Sequence, residues 1–187
     1  MIDPLERWRE LACRTSPTTP GSSPTPACRT QDSAELAGVD IAVIGAPTDD
    51  LVSDRPGTRF GPRAIRAASC PPGAHLEAKI DSLAELHVVD FGDAAVVPAD
   101  SVRTHAEIER TVGQAIAAGT IPVVLGGDHS ITEANVRAVA THHGPVGFVH
   151  FDAHTDTGTE VFGVEHSHGT PMYWIVRDGH VDAHRYT

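Results

Sequence analysis

Four short apolar runs alternate with segments of helical character, and this alternation constrains the fold more than any other feature of the chain. The runs cover residues 39–47, 86–93, 121–125 and 146–151, and they are rich in β-branched residues without regular polar alternation. Strands that are buried on both faces have this composition. The pattern therefore predicts an α/β fold of three layers, α/β/α, with a mainly parallel sheet between the helices.

The segments between these runs carry the signals of helices. A proline suits the first turn of a helix over residues 62–68, because its missing N–H would have no partner there. Ser101 is placed to cap a helix over 101–118, and two further helices are predicted over 131–142 and 171–177. The apolar stripe of the second helix is expected to consist of Val102, Ile108, Val112, Ala115 and Ile116.

The N-terminal residues differ in composition from the rest of the chain. Residues 15–33 are rich in Pro, Ser, Thr and Gly, which is typical of a flexible or extended segment, and a short helix is possible over 3–12. We therefore divide the chain into an N-terminal arm, residues 1–38, and a partial α/β domain, residues 39–187.

Charge and composition exclude several classes of partner. The chain of 187 residues has 14 basic and 25 acidic side chains and a formal net charge of −11, so it lacks the basic field that binds nucleic acid or an anionic membrane. No apolar run reaches the ~18 residues of a membrane-spanning helix, and the N-terminus does not resemble a signal peptide. Cys13, Cys28 and Cys70 form neither a disulfide framework nor a metal-binding pair, so a cytoplasmic location is expected.

Polar residues cluster where two of the predicted strands end. Residues 126–129, Gly-Gly-Asp-His, follow the third run, and Asp152, His154 and Asp156 follow the fourth at intervals of two. In an extended chain this spacing directs the three side chains to one side. Two converging carboxylates would repel each other, and a divalent cation removes that cost. Oxygen and imidazole ligands suit Mn²⁺, and less specifically Zn²⁺ or Fe²⁺. A strand-end turn without metal is the alternative.

Histidines outside that row leave more than one interpretation open. His129 strengthens the metal prediction if its strand lies near the fourth, although by itself it is also typical of a loop. His166 and His168 have the spacing of a metal pair, but they precede a helix instead of following a strand. A mobile histidine that transfers protons near neutral pH, or an ordinary loop histidine, fits them equally.

Five segments together resemble the ureohydrolase family of arginases and agmatinases. They are residues 41–49, 55–69, 123–132, 149–157 and 167–174, and the second of them is closer to the agmatinase branch than to arginase proper. The combination of GGDH with DAHTD is the specific part of the resemblance, which covers residues 39–187. Four arginines in the second segment could suggest anion binding, but ion pairs with the sheet are the favoured interpretation. These arginines are Arg55, Arg59, Arg63 and Arg66.

The resemblance implies a binuclear manganese hydrolase that splits a guanidino compound, agmatine or a guanidino acid, into urea and an amine by means of a metal-bridging hydroxide. By position, His129, Asp152 and Asp156 would bind one Mn²⁺, and Asp152 and His154 would bind the other. Asp156 would also orient the hydroxide, and His168 matches the family histidine that transfers a proton. Family members commonly form homo-oligomers.

The chain departs from the family pattern in one respect. Relatives complete the metal pair with a later Asp-x-Asp motif, which is absent from this sequence. We therefore expect an amino-terminal fragment or a truncated product, with an exposed sheet edge, weak metal affinity and little or no activity of its own. Two alternatives remain: a non-catalytic fragment that binds metal or contributes to oligomer contacts, and a zinc deacetylase-like hydrolase of related fold.

Overall fold

The computed structural model describes residues 36–69 and 73–187. The predicted helix at 3–12, the segment 15–33 and all three cysteines lie outside these residues. Leu36, within the predicted arm, is fully buried in the main hydrophobic core. The packed part of the chain therefore includes at least this residue before position 39.

Five strands, five α-helices and a short 3-10 helix, Thr58–Phe60, occur in the described residues. The strands are β1 (Ile41–Ala46), β2 (Val88–Asp93), β3 (Ile121–Gly126), β4 (Val146–Phe148) and β5 (Val181–Tyr186). The helices are α1 (Gly61–Ala68), α2 (Ser82–Glu85), α3 (Ser101–Ala117), α4 (Ile131–His143) and α5 (Pro171–Arg177). No helix of this part of the chain has the length and apolar character needed to cross a membrane.

The first three strands form a parallel sheet in the order β2-β1-β3. Val43 of β1 lies opposite Asp90 of β2 and Val123 of β3 in the register of the two pairings. Parallel strands need crossover connections: α1 and α2 lie between β1 and β2 in the chain, and α3 lies between β2 and β3. The α/β class and the parallel sheet predicted from the sequence are thus confirmed.

The two faces of this sheet are covered unequally. Ala42, Ile44 and Ala46 of β1 are buried against α3 and α4 in the main core. On the opposite face, α1 lies against β1 and β3, and a Cβ at Gly45 would meet the side chains of Asp93 and Arg66. Ile121 and Val123 of β3 remain 64% and 41% exposed. This exposed pair is called the bare face below.

The last two strands form a separate parallel pair, β4-β5. The predicted strand over 146–151 is therefore too long, since β4 ends at Phe148, although His150 still donates a backbone hydrogen bond to Thr187. β5 was not predicted, because its sequence VDAHRY contains no apolar run. Helix α5 packs between this pair and α4 through Met172 and Ile175.

Two details of α3 differ from the sequence prediction. The capping side chain is that of Asp100, whose carboxylate accepts a hydrogen bond from the N–H of Arg103, and Ser101 is the first helical residue. Val102, placed on the apolar stripe, is 78% exposed, whereas Ile108, Val112 and Ala115 are buried as expected. A one-residue shift of the cap explains the first error, since both residue types accept N-terminal hydrogen bonds.

Candidate metal centre and cleft

An open cleft of about 640 Å³ lies where the chain leaves β3 and where it continues past β4. The ends of parallel strands are the usual place for such a site. The cleft is lined by residues of both predicted clusters and of the later histidine segment, including Val52, Thr58, Asp128, His129, Asp152, His154, Asp156 and His168. His129 and the row from Asp152 to Asp156 thus line the same cleft, although β3 and β4 are not paired.

A glycine turn brings His129 into this cleft. Gly127 has a φ of +94°, and a Cβ there would lie 2.4 Å from the carbonyl oxygen of Ala46 and 2.7 Å from that of Thr48. The turn can therefore pack against the end of β1 only because residue 127 has no side chain. Asp128 is buried and accepts hydrogen bonds from the N–H groups of Leu51 and Ser130, which ties the turn to the neighbouring loop.

Asp152 and Asp156 both approach His129. The Nδ1 atom of His129 lies 2.5 Å from Oδ2 of Asp156 and 3.6 Å from Oδ2 of Asp152. The sequence analysis gave the wrong reason for this convergence, however, because residues 152–156 form an irregular loop with a bend and not an extended strand. Asp156 has a φ of +45°, and Asp152 accepts a hydrogen bond from the N–H of His154.

Local hydrogen bonding keeps the Asp152 carboxylate ionised. The N–H of His154 lowers the pKa of Asp152, burial acts in the opposite direction, and the neighbouring His129 and His150 lower that pKa further. A negative charge is thus maintained at the point where the two histidines meet, as a carboxylate ligand requires.

His154 lies at the rim of the group. Its Nδ1 atom is 3.6 Å from Oδ1 of Asp152, but 79% of its side chain is exposed. The carboxylate oxygen that it approaches is the one that faces away from His129. His154 and His129 therefore approach different oxygens of the Asp152 carboxylate.

The structure adds His150, which the sequence analysis did not select. His129, His150 and Asp152 each offer a ligand atom within 4.8 Å of the others. His150 precedes Asp152 by two residues, and this spacing could have indicated that the two side chains lie near each other. It was overlooked because His150 lies inside an apolar run that was interpreted as a buried strand.

The later histidines point in different directions. Nδ1 of His168 lies 2.6 Å from the carbonyl oxygen of Leu51 and must donate to it, while its ring lines the cleft. His166 turns away, forms a hydrogen bond with the buried carboxylate of Glu133 at 2.9 Å and packs against Trp174, with the ring planes 36° apart. The interpretation of His166 and His168 as a metal pair is therefore wrong. Of these two histidines, His168 lines the cleft and His166 does not.

Arginines of the segment 55–69 are engaged in ion pairs. Arg59 bonds to the buried Asp49 and to Asp50, and Arg66 bonds to Asp90 and Asp93 at the end of β2. The structural interpretation is confirmed for these two arginines. Arg55 is exposed and pairs only with the adjacent Asp54 in the described structure.

The donor set fits a divalent cation. Nε2 of His150 is buried and has no hydrogen-bond partner among the described residues, and the nearby groups are two carboxylates and a second imidazole. Oxygen and imidazole donors without thiolate are typical of Mn²⁺, and they also suit Zn²⁺.

Comparison with known proteins identifies the family. The model of the arginase family matches residues 39–187, so the chain belongs to the arginase family. It is 43% identical over 162 residues to mitochondrial agmatinase of Gallus gallus, a match that covers 83% of this chain and 45% of that protein. It is 41% identical over 150 residues to mitochondrial guanidino acid hydrolase of Homo sapiens, covering 79% and 42%.

The fold agrees with this assignment. The structure of Trypanosoma cruzi formiminoglutamase with Mn²⁺ superposes with a TM-score of 0.71 at 25% identity, covering 85% of this chain and 54% of that one. The chain thus spans less than half the length of the two curated relatives and about half of this structure. The arginase-like fold expected from the sequence is confirmed.

Proposed function

We propose that this protein acts as a manganese-dependent hydrolase that converts a guanidino compound into urea and an amine. The observation that carries the proposal is the convergence of His129, Asp152 and Asp156 with His168 in one cleft of an arginase-family chain. The names of the two curated relatives support a guanidino substrate, agmatine or a guanidino acid.

His129, Asp152 and Asp156 would hold one Mn²⁺, and Asp152 and His154 would contribute to a second. Bound cations supply the Lewis acidity that produces a hydroxide nucleophile at neutral pH. A guanidinium group resists weaker nucleophiles because it is resonance-stabilised. Asp156, whose Oδ2 lies 2.5 Å from Nδ1 of His129, would orient the attacking oxygen.

His168 is positioned for the proton transfer that the leaving amine requires. Because its Nδ1–H donates to the carbonyl of Leu51, the neutral ring carries its lone pair on Nε2. That nitrogen can accept a proton in the cleft and pass it to the amine as the C–N bond breaks. The backbone hydrogen bond fixes the orientation of the ring during the transfer.

Urea release from labelled guanidino compounds tests the proposal. The chain would be incubated with agmatine and with guanidino acids, each with Mn²⁺ and with a chelator. We expect metal-dependent release of urea, because His129 lies close to Asp152 and Asp156, and His154 lies on the other side of Asp152. Absence of urea from every compound would contradict the proposal and favour a non-catalytic metal-binding fragment.

Two broader expectations stay predictions. Cytoplasmic location and assembly into a homo-oligomer follow from composition and from the family resemblance. Cell fractionation and light scattering test them respectively. The zinc deacetylase alternative has no support from the family comparison, and an acetyl-lysine assay with Zn²⁺ tests it directly.

A further inference from the structure

We propose that Glu133 is a positioning residue for His168 and acts on it through His166. The inference rests on the proposed function, because His168 is the residue to which that function assigns the proton transfer. Glu133 and His166 are not among the residues that line the cleft, so neither would contact the substrate. Their effect would be to hold the segment that carries His168.

The Glu133 carboxylate is buried and held by two helices. Its side chain is 5% exposed, and Oε1 accepts a hydrogen bond of 2.8 Å from Nη1 of Arg137, one turn further along α4. Nε of Arg137 also donates to Glu109 of α3 at 2.9 Å. A buried carboxylate needs such donors in place of the water that it has lost. The network therefore fixes the place of the second oxygen of Glu133, Oε2.

This second oxygen of Glu133 holds His166. Oε2 lies 2.9 Å from Nδ1 of His166, and because an ionised carboxylate only accepts hydrogen bonds, Nδ1 must donate. The ring of His166 also packs against Trp174 at a centroid distance of 4.5 Å, and Nε1 of Trp174 donates to the carbonyl of Glu165 at 2.7 Å. The two residues that precede Ser167 are thus attached to α4 and α5, one through its side chain and one through its backbone.

A hydrogen-bonded turn joins His166 to His168. Ser167 and Thr170 are buried, and the hydroxyl of Thr170 accepts a hydrogen bond from the N–H of Ser167 and donates one to its carbonyl oxygen. Because this turn is closed by its own hydrogen bonds, it would move as a unit. A displacement of His166 would therefore also displace His168.

The position of His168 depends on contacts on two sides. Its Nδ1 atom lies 2.6 Å from the carbonyl oxygen of Leu51, in the loop after β1, while its backbone belongs to the turn that follows His166. A shift of this turn relative to Leu51 would lengthen the hydrogen bond and turn Nε2 away from the leaving amine. Misplacement of a reacting group by about 1 Å can lower the rate about a hundred-fold, even when the substitution is remote.

NMR of the imidazole nitrogens in the metal-free full chain tests the link between Glu133 and His168 without an assay of activity. His168→Gln would identify the signals of that residue. In the wild type, His168 should be a single tautomer with its proton on Nδ1. Glu133→Gln should give a mixture of both tautomers, whereas the control Glu107→Gln, which breaks an exposed ion pair on α3, should not.

His166→Phe tests the same link from the other partner, and it decides the question if Glu133→Gln fails to fold. Phenylalanine keeps a ring beside Trp174 but removes the donor to Glu133, and the half-exposed site can accommodate it. The signals of His168 should change as in Glu133→Gln, and the double variant should show no larger change, because both substitutions remove one interaction. Unaltered His168 signals in His166→Phe would overturn the proposal.

Urea release with Mn²⁺ separates this inference from the proposed function. In Glu133→Gln and His166→Phe, kcat should fall about ten- to a hundred-fold while KM stays unchanged, because His168 acts as the C–N bond breaks and not in substrate binding. Altered His168 signals in a chain that releases no urea would retain the positioning role and remove the hydrolase. Urea release at the wild-type kcat in His166→Phe would overturn the positioning role and retain the hydrolase.

Discussion

Two sets of carboxylates in this protein differ in burial and in the charges beside them. The Asp49 carboxylate is fully buried and is neutralised by hydrogen bonds from the N–H groups of Gly57 and Arg59 and by the Arg59 guanidinium. Burial acts to raise the pKa of Asp49, but these hydrogen bonds outweigh it and lower that pKa overall. Within the described structure, the side chains paired with the carboxylates of Asp152 and Asp156 are histidines. The first group stabilises the fold, and the second is available for a cation.

Asp49→Asn should therefore destabilise the chain strongly. The variant keeps the shape of the side chain but removes the charge that the buried hydrogen bonds require, at a cost of roughly 1.5–3 kcal/mol. Chemical denaturation measures the free energy of unfolding. Asp50→Asn is the matched control, because Asp50 pairs with the same arginine from a more exposed position. Equal stability of the two variants would contradict the assignment.

The buried His105 should make the free energy of unfolding depend on pH on the acid side of neutrality. Burial lowers the pKa of His105, and Glu133 and Asp128 oppose this only in part. In the unfolded chain His105 binds a proton near pH 6.5, while in the folded chain it resists protonation. The contribution of neutral His105 to stability is therefore present above about pH 6.5 and is lost as the pH falls below it.

His105→Gln should reduce that acid loss of stability. Glutamine can still bond to the hydroxyl of Ser130, which lies 2.9 Å from Nε2 of His105. Denaturant midpoints at pH 7.5 and 5.5 would be compared in both proteins. The wild type should lose more stability between these values than the variant. An identical loss would show that the histidine does not remain neutral in the folded state.

Residue identities at the site were partly predictable from the sequence. His129, Asp152 and Asp156 were selected, and the structure brings them together, because strand ends concentrate ligand residues at one edge of a parallel sheet. His150 was missed because an apolar neighbourhood concealed its orientation. The direction of His166 depends on the distant Glu133, which no local pattern reveals.

At the scale of elements, the turn after β3 determines where His129 lies. Its glycine packs against the carbonyl oxygens of Ala46 and Thr48, so the end of β1 and the start of α4 are held at a fixed distance. An error in this turn would therefore displace one ligand relative to the loop at 152–156.

Gly127→Ala should disrupt both stability and metal binding. The added Cβ would meet the backbone of β1, whereas Gly119→Ala has a similar positive φ of +78° but open space around it. The control should cost about 1 kcal/mol, and Gly127→Ala about 1–3 kcal/mol more. Thermal unfolding and Mn²⁺ titration measure the two effects. Similar results for the two variants would contradict the packing argument.

Most elements were predictable because they carry a local signal. Apolar runs located β1, β2 and β3 within a few residues, and a proline or a capping residue located α1 and α3. β5 lacked such a signal, since its pairing with β4 depends on tertiary contacts. The separation of the sheet into two parts also could not be predicted, because strand order depends on packing between distant segments.

At the scale of the whole molecule, the bare face is the most unusual surface. Ile121 and Val123 are exposed on β3, whose outer edge has no strand partner among the described residues, and Val149 and Phe151 are exposed after β4. Exposed apolar edges promote association between chains. The predicted exposed sheet edge is therefore present in the described structure.

Ile121→Lys should reduce self-association of the chain. A charge on the bare face opposes contact between two such edges. Light scattering over a range of concentrations measures the average mass, which should fall in the variant. Val102→Lys is the control, because Val102 is also largely exposed but lies on α3 and not on a strand. An effect of the same size in both variants would refute a specific role of the bare face.

Anomalous diffraction at the manganese absorption edge, from crystals of the chain soaked in Mn²⁺, is the most direct test of the central claim. The account predicts a peak about 2.2 Å from Nδ1 of His129 and from carboxylate oxygens of Asp152 and Asp156. A peak bound to other residues, or no peak in the cleft at saturating Mn²⁺, would contradict it.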